Sequence, residues 1–252
     1  MKKRHLILLI MVVSMFMISL AEEPKVTVIC GDSQLQFELI SPEGTRVFTD
    51  VSSPDALSKP AGSNDILLTT NSYPGTYLPD FVNSFPGKQL FRKIGTLEGN
   101  GVKVTGISSL HDQLSELLPE NGANYIFLIE MGGLRIADFG YIGQEKLTKE
   151  QLDILGEIDI AITQLKNPFC NMTLENRKGF NLMDQLNPKL IIPTNFDEAT
   201  ARFAVTKWEG FYAVGPVKIG KSDLVSPKPR ILFMESWGKI CKGLKLAKKW
   251  NK

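Results

Sequence analysis

Short apolar runs recur along the first part of the chain, and their lengths predict strands rather than long helices. Lys25 to Ile29 is rich in valine, and the runs Leu35 to Ile40 and Arg46 to Asp50 lie on either side of Ser41-Pro42-Glu43-Gly44. Two such runs around a Pro/Gly turn predict a β-hairpin. Asp65 to Thr70 is apolar and ends at small polar residues, which predicts a buried strand leading into a loop.

The middle of the chain continues this pattern. Gly101 to Ser109 alternates between apolar and polar residues, and Asn124 to Glu130 and Leu134 to Asp138 flank Met131-Gly132-Gly133. The alternation predicts another strand, and the glycine turn predicts a second hairpin. Two further runs have strand character, Asp159–Thr163 and Lys189–Pro193.

Two segments of the second half have a helical pattern. In Thr148 to Leu155, Thr148 is followed three residues later by Gln151, the arrangement of a capping box. Arg177 to Leu186 is followed by Asn187-Pro188, which ends a helix. Strands first, then strands alternating with helices, predict an α/β (α+β) fold with two sheets sandwiched by helices. We expect a single domain over residues 25–235.

The first 21 residues have the layout of a secretory signal peptide. Lys2, Lys3 and Arg4 form a basic start, Leu6 to Leu20 is apolar apart from two serines, and Ser19-Leu20-Ala21 is a cleavage sequence. The apolar run is shorter than the roughly 20 residues that a membrane span requires. We therefore expect an exported protein, periplasmic or secreted, with an uncleaved membrane anchor as the alternative.

The C-terminal segment, residues 236–252, differs in character from the domain before it. Between Lys239 and Lys252 it carries six lysines with apolar residues among them. This pattern predicts a basic amphipathic helix that packs one face on the domain or makes a weak contact with an anionic membrane surface.

The charge of the mature chain is close to zero. The full sequence has a formal charge of +2, and loss of three basic residues with the signal peptide leaves −1. A near-neutral body does not attract nucleic acid in bulk, so we expect no nucleic-acid partner. Cys30, Cys170 and Cys241 lack metal-finger spacing, and the sequence does not identify a disulfide pair.

Six segments share their order and spacing with a known family. They are Val26–Ser33, Asp65–Thr70, Ser109–Asp112, Asn124–Ala137, Leu155–Ile160 and Leu186–Phe196. Taken in this order they resemble the metallo-β-lactamase superfamily, most closely its ascorbate-6-phosphate lactonase-like branch. The resemblance covers about residues 26–235 and implies a four-layer αββα sandwich.

The resemblance also implies where a dinuclear metal site would lie. The family's loop Thr-His-x-His-x-Asp-His falls on the segment that begins at Thr70, and a later histidine falls on His111. An early histidine of the branch falls on Asp32. The ligand positions of the family are held here by Asn71, Tyr73, Gly75, Thr76, His111, Tyr141 and Asn195.

These replacements predict that zinc is absent. Protein zinc sites use imidazole, thiolate and carboxylate ligands, whereas Asn, Gly and Thr are neutral and hold the ion poorly. His5 belongs to the predicted signal peptide, so His111 is the single imidazole of the mature chain. Because bound metal is what lowers the pKa of the attacking water, the family's hydrolysis is expected to be absent, and we expect no cofactor.

Several residues near the former metal pocket are candidates for metal binding or catalysis of another kind. Asp32, Asp112 and Asp138 are expected at the rim of the former metal pocket, as oxygen ligands for Ca²⁺ or Mg²⁺ or as a solvated edge. His111, Asp112 and Tyr141 are the candidates if catalysis persists. His111 is also suited to a structural role, to a serine-type triad or to pairing with the Cys170 thiol.

Three functions follow from these features. The leading hypothesis is an exported pseudoenzyme that binds a small molecule or a protein through the emptied cleft. The first alternative is a diverged hydrolase of lactones, esters or phosphodiesters that uses the residual pocket residues. The second is association with a membrane or glycan surface through Lys239–Lys252. Tyr73 and Tyr141 would line the ligand site or fill the space left by the metals.

Overall fold

The computed structural model describes residues 22–31, 35–73, 75–111, 124–234, 242 and 245–250. Within this part of the chain it contains two β-sheets, α-helices and short 3₁₀ turns. The predicted signal peptide, Asp32, Asp112 and most of the C-terminal segment lie outside the described residues.

The first sheet grows from the predicted N-terminal hairpin. Strands β2 (Phe37–Ile40) and β3 (Arg46–Thr49) pair antiparallel, and the Gly44 N–H donates to the Ser41 carbonyl at 2.9 Å in the turn between them. Gly44 has a φ of +88°, which a residue without a Cβ adopts without strain. The strand order is β13-β1-β2-β3-β4-β5, where the other strands are β1 (Val26–Cys30), β4 (Ile66–Thr69), β5 (Lys88–Phe91) and β13 (Val217–Ile219).

The second sheet combines an antiparallel half with a parallel half. Strands β7 (Val102–Ser109), β8 (Asn124–Met131) and β9 (Leu134–Asp138) pair antiparallel in sequence order. From β9 onward the neighbours run parallel. The order is β15-β12-β14-β11-β10-β9-β8-β7-β6, completed by β6 (Gly95–Gly99), β10 (Ile160–Thr163), β11 (Leu190–Pro193), β12 (Glu209–Tyr212), β14 (Arg230–Phe233) and β15 (Lys248–Lys249).

The helices are short and connect the strands. They are α1 (Pro79–Ser84), α2 (Lys149–Leu155), α3 (Lys178–Leu186) and α4 (Glu198–Lys207), with 3₁₀ turns at Pro54–Ala56, Pro168–Cys170 and Lys221–Leu224. The predicted capping box at α2 is confirmed. Thr148 Oγ1 accepts the Gln151 N–H at 3.2 Å, and Gln151 Oε1 accepts the Thr148 N–H at 2.9 Å.

Strand β8 shows how the layers are arranged. Its alternate residues Tyr125, Phe127 and Ile129 belong to the core between the two sheets, while Ile126 and Leu128 face the opposite core. Successive side chains of a strand point to opposite faces, so a strand with apolar residues at every position is covered on both sides.

The outer faces of both sheets are covered by helices. Helices α3 and α4 contribute Phe180, Leu182 and Ala204 to the core on the outer face of the second sheet. Helix α1 packs Val82 against Phe48 and Leu67 on the outer face of the first sheet. The predicted four-layer αββα sandwich is therefore confirmed.

The C-terminal segment corrects one prediction. The prediction of a basic amphipathic helix from Lys239 to Lys252 is wrong for the last residues. Lys248–Lys249 form strand β15, which pairs parallel with β12. Trp250, 7% exposed, packs edge-on against Phe211 with ring centroids 5.3 Å apart. The apolar residue of this lysine-rich end is thus part of the domain core.

None of the helices in the described part of the chain combines the length and the apolar composition that a membrane crossing demands.

Candidate functional site

The loop after β4 uses its polar side chains to hold itself together. Asn71 Nδ2 donates to Thr70 Oγ1 at 2.9 Å, and Asn71 Oδ1 accepts the Tyr73 N–H at 3.0 Å. The Thr76 hydroxyl lies 3.0 Å from the same Oδ1 and 2.7 Å from the Tyr73 carbonyl. Gly75 is exposed, has a φ of +84° and offers no side chain. Asn71 and Thr76, both predicted to stand at ligand positions, are buried and bonded within the loop.

Three rings meet where the metal ligands of the family were expected. The Tyr73 ring stacks on the His111 imidazole with centroids 4.0 Å apart and planes inclined by 31°. Tyr141 approaches the same imidazole edge-on at 6.2 Å and lies 6.4 Å from Tyr73. The structure therefore brings together these three predicted site residues, with the buried His111 in contact with both tyrosine rings.

Tyr141 is positioned by the start of β8 and by the end of β11. Its N–H donates to Asn124 Oδ1 at 2.9 Å, while Asn124 Nδ2 donates to Ser109 Oγ at 2.8 Å and to the Phe139 carbonyl at 2.9 Å. Burial raises the pKa of Tyr141 above its usual value, and a hydrogen bond with the Asn195 side chain partly offsets this effect. Tyr141 therefore stays a neutral phenol at physiological pH.

Two carboxyl groups lie in the interior at the carboxyl ends of β3 and β9. Asp50 accepts the Thr70 N–H at 2.8 Å and the Thr70 hydroxyl at 2.6 Å, and Asp138 accepts the Gly140 N–H at 3.0 Å. Burial and the neighbouring Asp138 raise the pKa of Asp50 well above its usual value. Burial raises the pKa of Asp138 to about 6, against the hydrogen bond from Gly140.

The prediction that Asp138 forms a solvated rim is wrong. Its side chain is 3% exposed, because β9 ends inside the molecule beside the loop after β4. The other two acids predicted for this rim, Asp32 and Asp112, lie outside the described residues.

A cleft of about 340 Å³ opens beside Tyr141 and Asn195. Its opposite wall is the loop after β10, residues 166–169, in which the Phe169 side chain is 87% exposed. Lys166, the one ammonium group among the described lining residues, is ion-paired with Asp197. The cleft thus offers phenol, amide and aromatic groups to a ligand. The ion pair with Asp197 balances the positive charge of Lys166.

The side chains at this site do not fit a pair of zinc ions. Within the described part of the chain, no three His, Cys, Asp or Glu side chains are close enough together to hold a metal. The amide of Asn71 is engaged at both ends by the protein, and Tyr73 and Tyr141 supply neutral phenols instead of imidazole and carboxylate.

Sequence reasoning missed four residues that shape the site. Asp50 and Thr70 form the buried link between β3 and β4, and Asn124 positions Tyr141. Gln164 accepts the side-chain N–H groups of Asn167 and Asn195 at 2.9 and 3.4 Å. Their positions in the sequence offer one signal, because Asp50, Thr70 and Gln164 each come directly after an apolar strand.

The family is identified by sequence comparison. The model of the Lactamase_B_3 family, described as the beta-lactamase superfamily domain, matches residues 36–195, which is more than half of the chain. No curated protein matches the sequence.

Solved structures share the fold at low identity. A proposed Zn-dependent hydrolase of the metallo-β-lactamase superfamily from Thermotoga maritima is 19% identical, with a TM-score of 0.59 over 83% of this chain and 98% of that one. The metallo-β-lactamase fold protein YhfI from Bacillus subtilis is 10% identical, with a TM-score of 0.56 over 86% of this chain and 98% of its own. At such identities the likeness concerns the fold alone. Together with the match to the family, the two-sheet architecture leads to one conclusion: the chain belongs to the metallo-β-lactamase superfamily.

Proposed function

We propose that this chain is a metallo-β-lactamase-fold protein that binds a small neutral ligand in the cleft beside Tyr141 and does not hydrolyse by zinc. The observation that carries the proposal is the chemistry of the former ligand positions. The side chains of Asn71 and Thr76 form hydrogen bonds within the loop itself. Tyr73 and Tyr141 pack against His111. Side chains already engaged in this way are poor donors to a metal ion.

The character of the cleft supports a neutral ligand with an aromatic or amide group. Tyr141, Phe169 and Phe196 offer aromatic surface, and Asn167 and Asn195 offer amides. Lys166 is ion-paired with Asp197, so an anionic ligand would have to break that pair. Ligand pockets are commonly apolar with a few polar groups that fix orientation, which matches this lining.

Metal content is the first test. Untagged protein purified from zinc-supplemented medium should contain far less than one zinc per chain by elemental analysis. It should not turn over 4-nitrophenyl acetate, bis(4-nitrophenyl) phosphate or a γ-lactone in a zinc-dependent way. Stoichiometric zinc that survives dialysis against a chelator would overturn the proposal.

Ligand binding is the second test. Benzamide and phenol, as neutral probes of the cleft, should raise the melting temperature in a concentration-dependent way, because binding to the folded state stabilises it. Tyr141→Ala should abolish the rise, whereas Tyr77→Phe, whose ring packs on Phe91 in another cluster, should preserve it. A rise with phenyl phosphate alone would contradict the neutral character of the site.

One observation favours a second candidate, a metal-independent hydrolase. Asp50 and Asp138 are buried neighbours with raised pKa values, so one of them can hold a proton near neutral pH. A neutral acid of this kind could donate a proton to a leaving group. Turnover of the lactone or the ester that persists in chelator and disappears in Asp138→Asn would select this candidate over pure binding.

Three finer assignments belong to the same proposal. The order of motifs supports a degenerate member of the ascorbate-6-phosphate lactonase-like branch, and residues 1–21 support export to the periplasm or the medium. Weak contact with anionic membranes remains a proposal for the exposed lysines near the C-terminus. Fractionation of cells that express the full chain, with vesicle sedimentation of the purified protein, tests the two locations.

A further inference from the structure

Phe169 presents its ring to solvent at the edge of the cleft beside Tyr141. Its side chain is more exposed than any other large apolar side chain in the described part of the chain, and it lines the cleft. An exposed ring of this size gains free energy when a ligand covers it, because apolar surface then leaves water. Phe169 is therefore a candidate platform for a ligand that has an apolar face.

The loop that carries Phe169 is held in one shape. Asn167 and Met172 exchange both of their backbone hydrogen bonds, at 2.8 and 3.0 Å, and close the loop like a short hairpin. Asn167 Oδ1 accepts the Phe169 N–H at 3.0 Å, and Asn167 Nδ2 donates to Gln164 Oε1 at 2.9 Å. The exposed ring thus stands on a fixed backbone, so little conformational entropy is lost when a ligand contacts it.

The ion pair of Lys166 and Asp197 forms a polar side of the same cleft. Asp197 Oδ1 accepts the N–H of Thr200 at 2.8 Å and its hydroxyl at 2.7 Å at the start of α4, while Oδ2 accepts Lys166 Nζ. The Lys166 N–H donates to the Asn195 carbonyl at 2.9 Å, which joins the loops after β10 and β11. Both side chains of the pair remain partly exposed, so a ligand can reach them.

Such a pair suits a ligand with two neighbouring hydroxyl groups. An ammonium group has three N–H donors, and a carboxylate has about four acceptor positions. One hydroxyl can therefore accept from Lys166 Nζ while the next donates to Asp197 Oδ2, and the ion pair stays intact. A six-membered ring with neighbouring hydroxyls and a C–H face is a pyranose. Its C–H bonds are slightly positive and lie favourably on the negative face of an aromatic ring.

We propose that the ligand of this cleft is a neutral pyranose sugar, whose C–H face lies on Phe169 and whose neighbouring hydroxyls bond to Lys166 and Asp197. The inference rests on the proposed function, because it names the class of the neutral ligand. The cleft volume of about 340 Å³ lies at the low end of the roughly 300–1,000 Å³ that ligand pockets have, which suits a single sugar ring.

Saturation-transfer NMR on the purified chain tests the proposal with the methyl glycosides of glucose, galactose, mannose and xylose. Melting temperature is unsuited to this test, because concentrated sugars stabilise folded proteins without binding to them. At least one glycoside should give a saturable signal that is strongest on the ring C–H protons.

Variants of the two sides of the cleft locate the bound sugar. Phe169→Ala should weaken the binding roughly ten-fold because the stacking face is lost, and Phe169→Tyr should retain it. Asp197→Asn should also weaken it, although asparagine still caps α4. Val225→Ala is the matched control, because Val225 is an exposed apolar side chain outside the cleft, and it should leave the binding unchanged.

Benzamide, measured in the same way, separates this inference from the proposed function. If benzamide binds and no glycoside does, the sugar is excluded and the neutral-ligand site stands; if neither binds, both proposals fail. Glycoside binding that is unchanged in both Phe169→Ala and Asp197→Asn would also overturn the inference. The trisaccharide of the best-binding sugar distinguishes two sources of the same ring: tighter binding assigns the end of a glycan, and equal binding assigns a free sugar.

Discussion

The buried carboxyl groups of Asp50 and Asp138 lower the stability of the folded protein when they are ionised. Each carboxyl group is nearly sealed from water, and each raises the free energy of the other when both are ionised. Asp50 also has a φ of +45°, a conformation that Asp tolerates better than most residues. A buried acid whose folded pKa is raised binds protons more tightly in the folded state, so it destabilises the protein once pH exceeds the unfolded value.

Asp138→Asn should therefore stabilise the protein at pH 7 to 8. The amide keeps an acceptor for the Gly140 N–H and removes the ionisation that folding opposes. A pKa shift from 3.8 to about 6 corresponds to a gain of about 3 kcal/mol. The gain should shrink as pH falls from 6 toward 4, where wild type is also protonated. Urea unfolding at several pH values measures it.

The control for this variant is an exposed aspartate. Asp153→Asn on α2 removes one partner of a surface ion pair with Lys149 and should change stability by less than about 1 kcal/mol, at any pH. An Asp138→Asn protein that is less stable than wild type at pH 8 would show that the carboxylate is held by a favourable partner.

The site itself was only partly predictable at this scale. The family resemblance places His111, Tyr73 and Tyr141 at ligand positions in three separate segments, and the structure brings these residues together. Asp138 was misplaced at the rim, since its neighbours in space, Asp50 and Thr70, lie far away in sequence. Local pattern does not report which side chains long-range strand pairing will bury.

At the scale of elements, local signals decided which segments could be predicted. The hairpin of β2 and β3, the hairpin of β8 and β9, and the capped start of α2 are confirmed, because turn residues and caps act over a few positions. Strand β12 was missed because its sequence, Glu-Gly-Phe-Tyr, lacks a continuous apolar run. It is a strand because β14 and β15 pair with it on either side.

Strand β15 is a two-residue strand anchored by one aromatic side chain. The Trp250 N–H donates to the Tyr212 carbonyl at 2.8 Å, and the Arg230 guanidinium lies 5.4 Å from the indole centroid. Trp250→Ala should lower the free energy of unfolding by about 3 kcal/mol, because large-to-small changes in a core leave a cavity. Chemical denaturation measures this loss.

The neighbouring lysine provides the comparison. Lys248→Ala removes an exposed ion pair with Glu209 and should cost less than about 1 kcal/mol. Similar effects of the two variants would mean that β15 contributes through its charges and that the lysine-rich end is better described as a surface element.

At the scale of the whole molecule, the buried carboxylate of Asp159 links the two sheets at the end of the sandwich opposite to the cleft. Asp159 precedes β10 at the end opposite to Gln164, and it bonds to Lys189, Lys221 and the Arg135 N–H. Lys221 follows β13 of the first sheet, whereas Arg135 and Lys189 belong to or precede strands of the second. The carboxylate therefore joins the two sheets at the base of the sandwich, far from the strand ends that build the site.

Asp159→Asn should consequently weaken the sandwich while leaving probe binding in the cleft intact. Burial alone would raise the pKa of Asp159, but the hydrogen bonds from Lys221, Lys189 and Arg135 outweigh it and lower the pKa. The stabilisation is therefore present above the pKa of the unfolded state, 3.8, and is lost as pH falls through the lower pKa of the folded state.

For Asp159→Asn we expect a loss of stability on the order of 2 kcal/mol at pH 7, because hydrogen bonds to a charged group are removed, and a smaller loss at pH 3. Denaturant unfolding at both pH values measures it. Asp184→Asn, which removes one partner of the solvent-accessible ion pair with Lys207, is the control. An equal loss at both pH values would show that the carboxylate acts by shape rather than by charge.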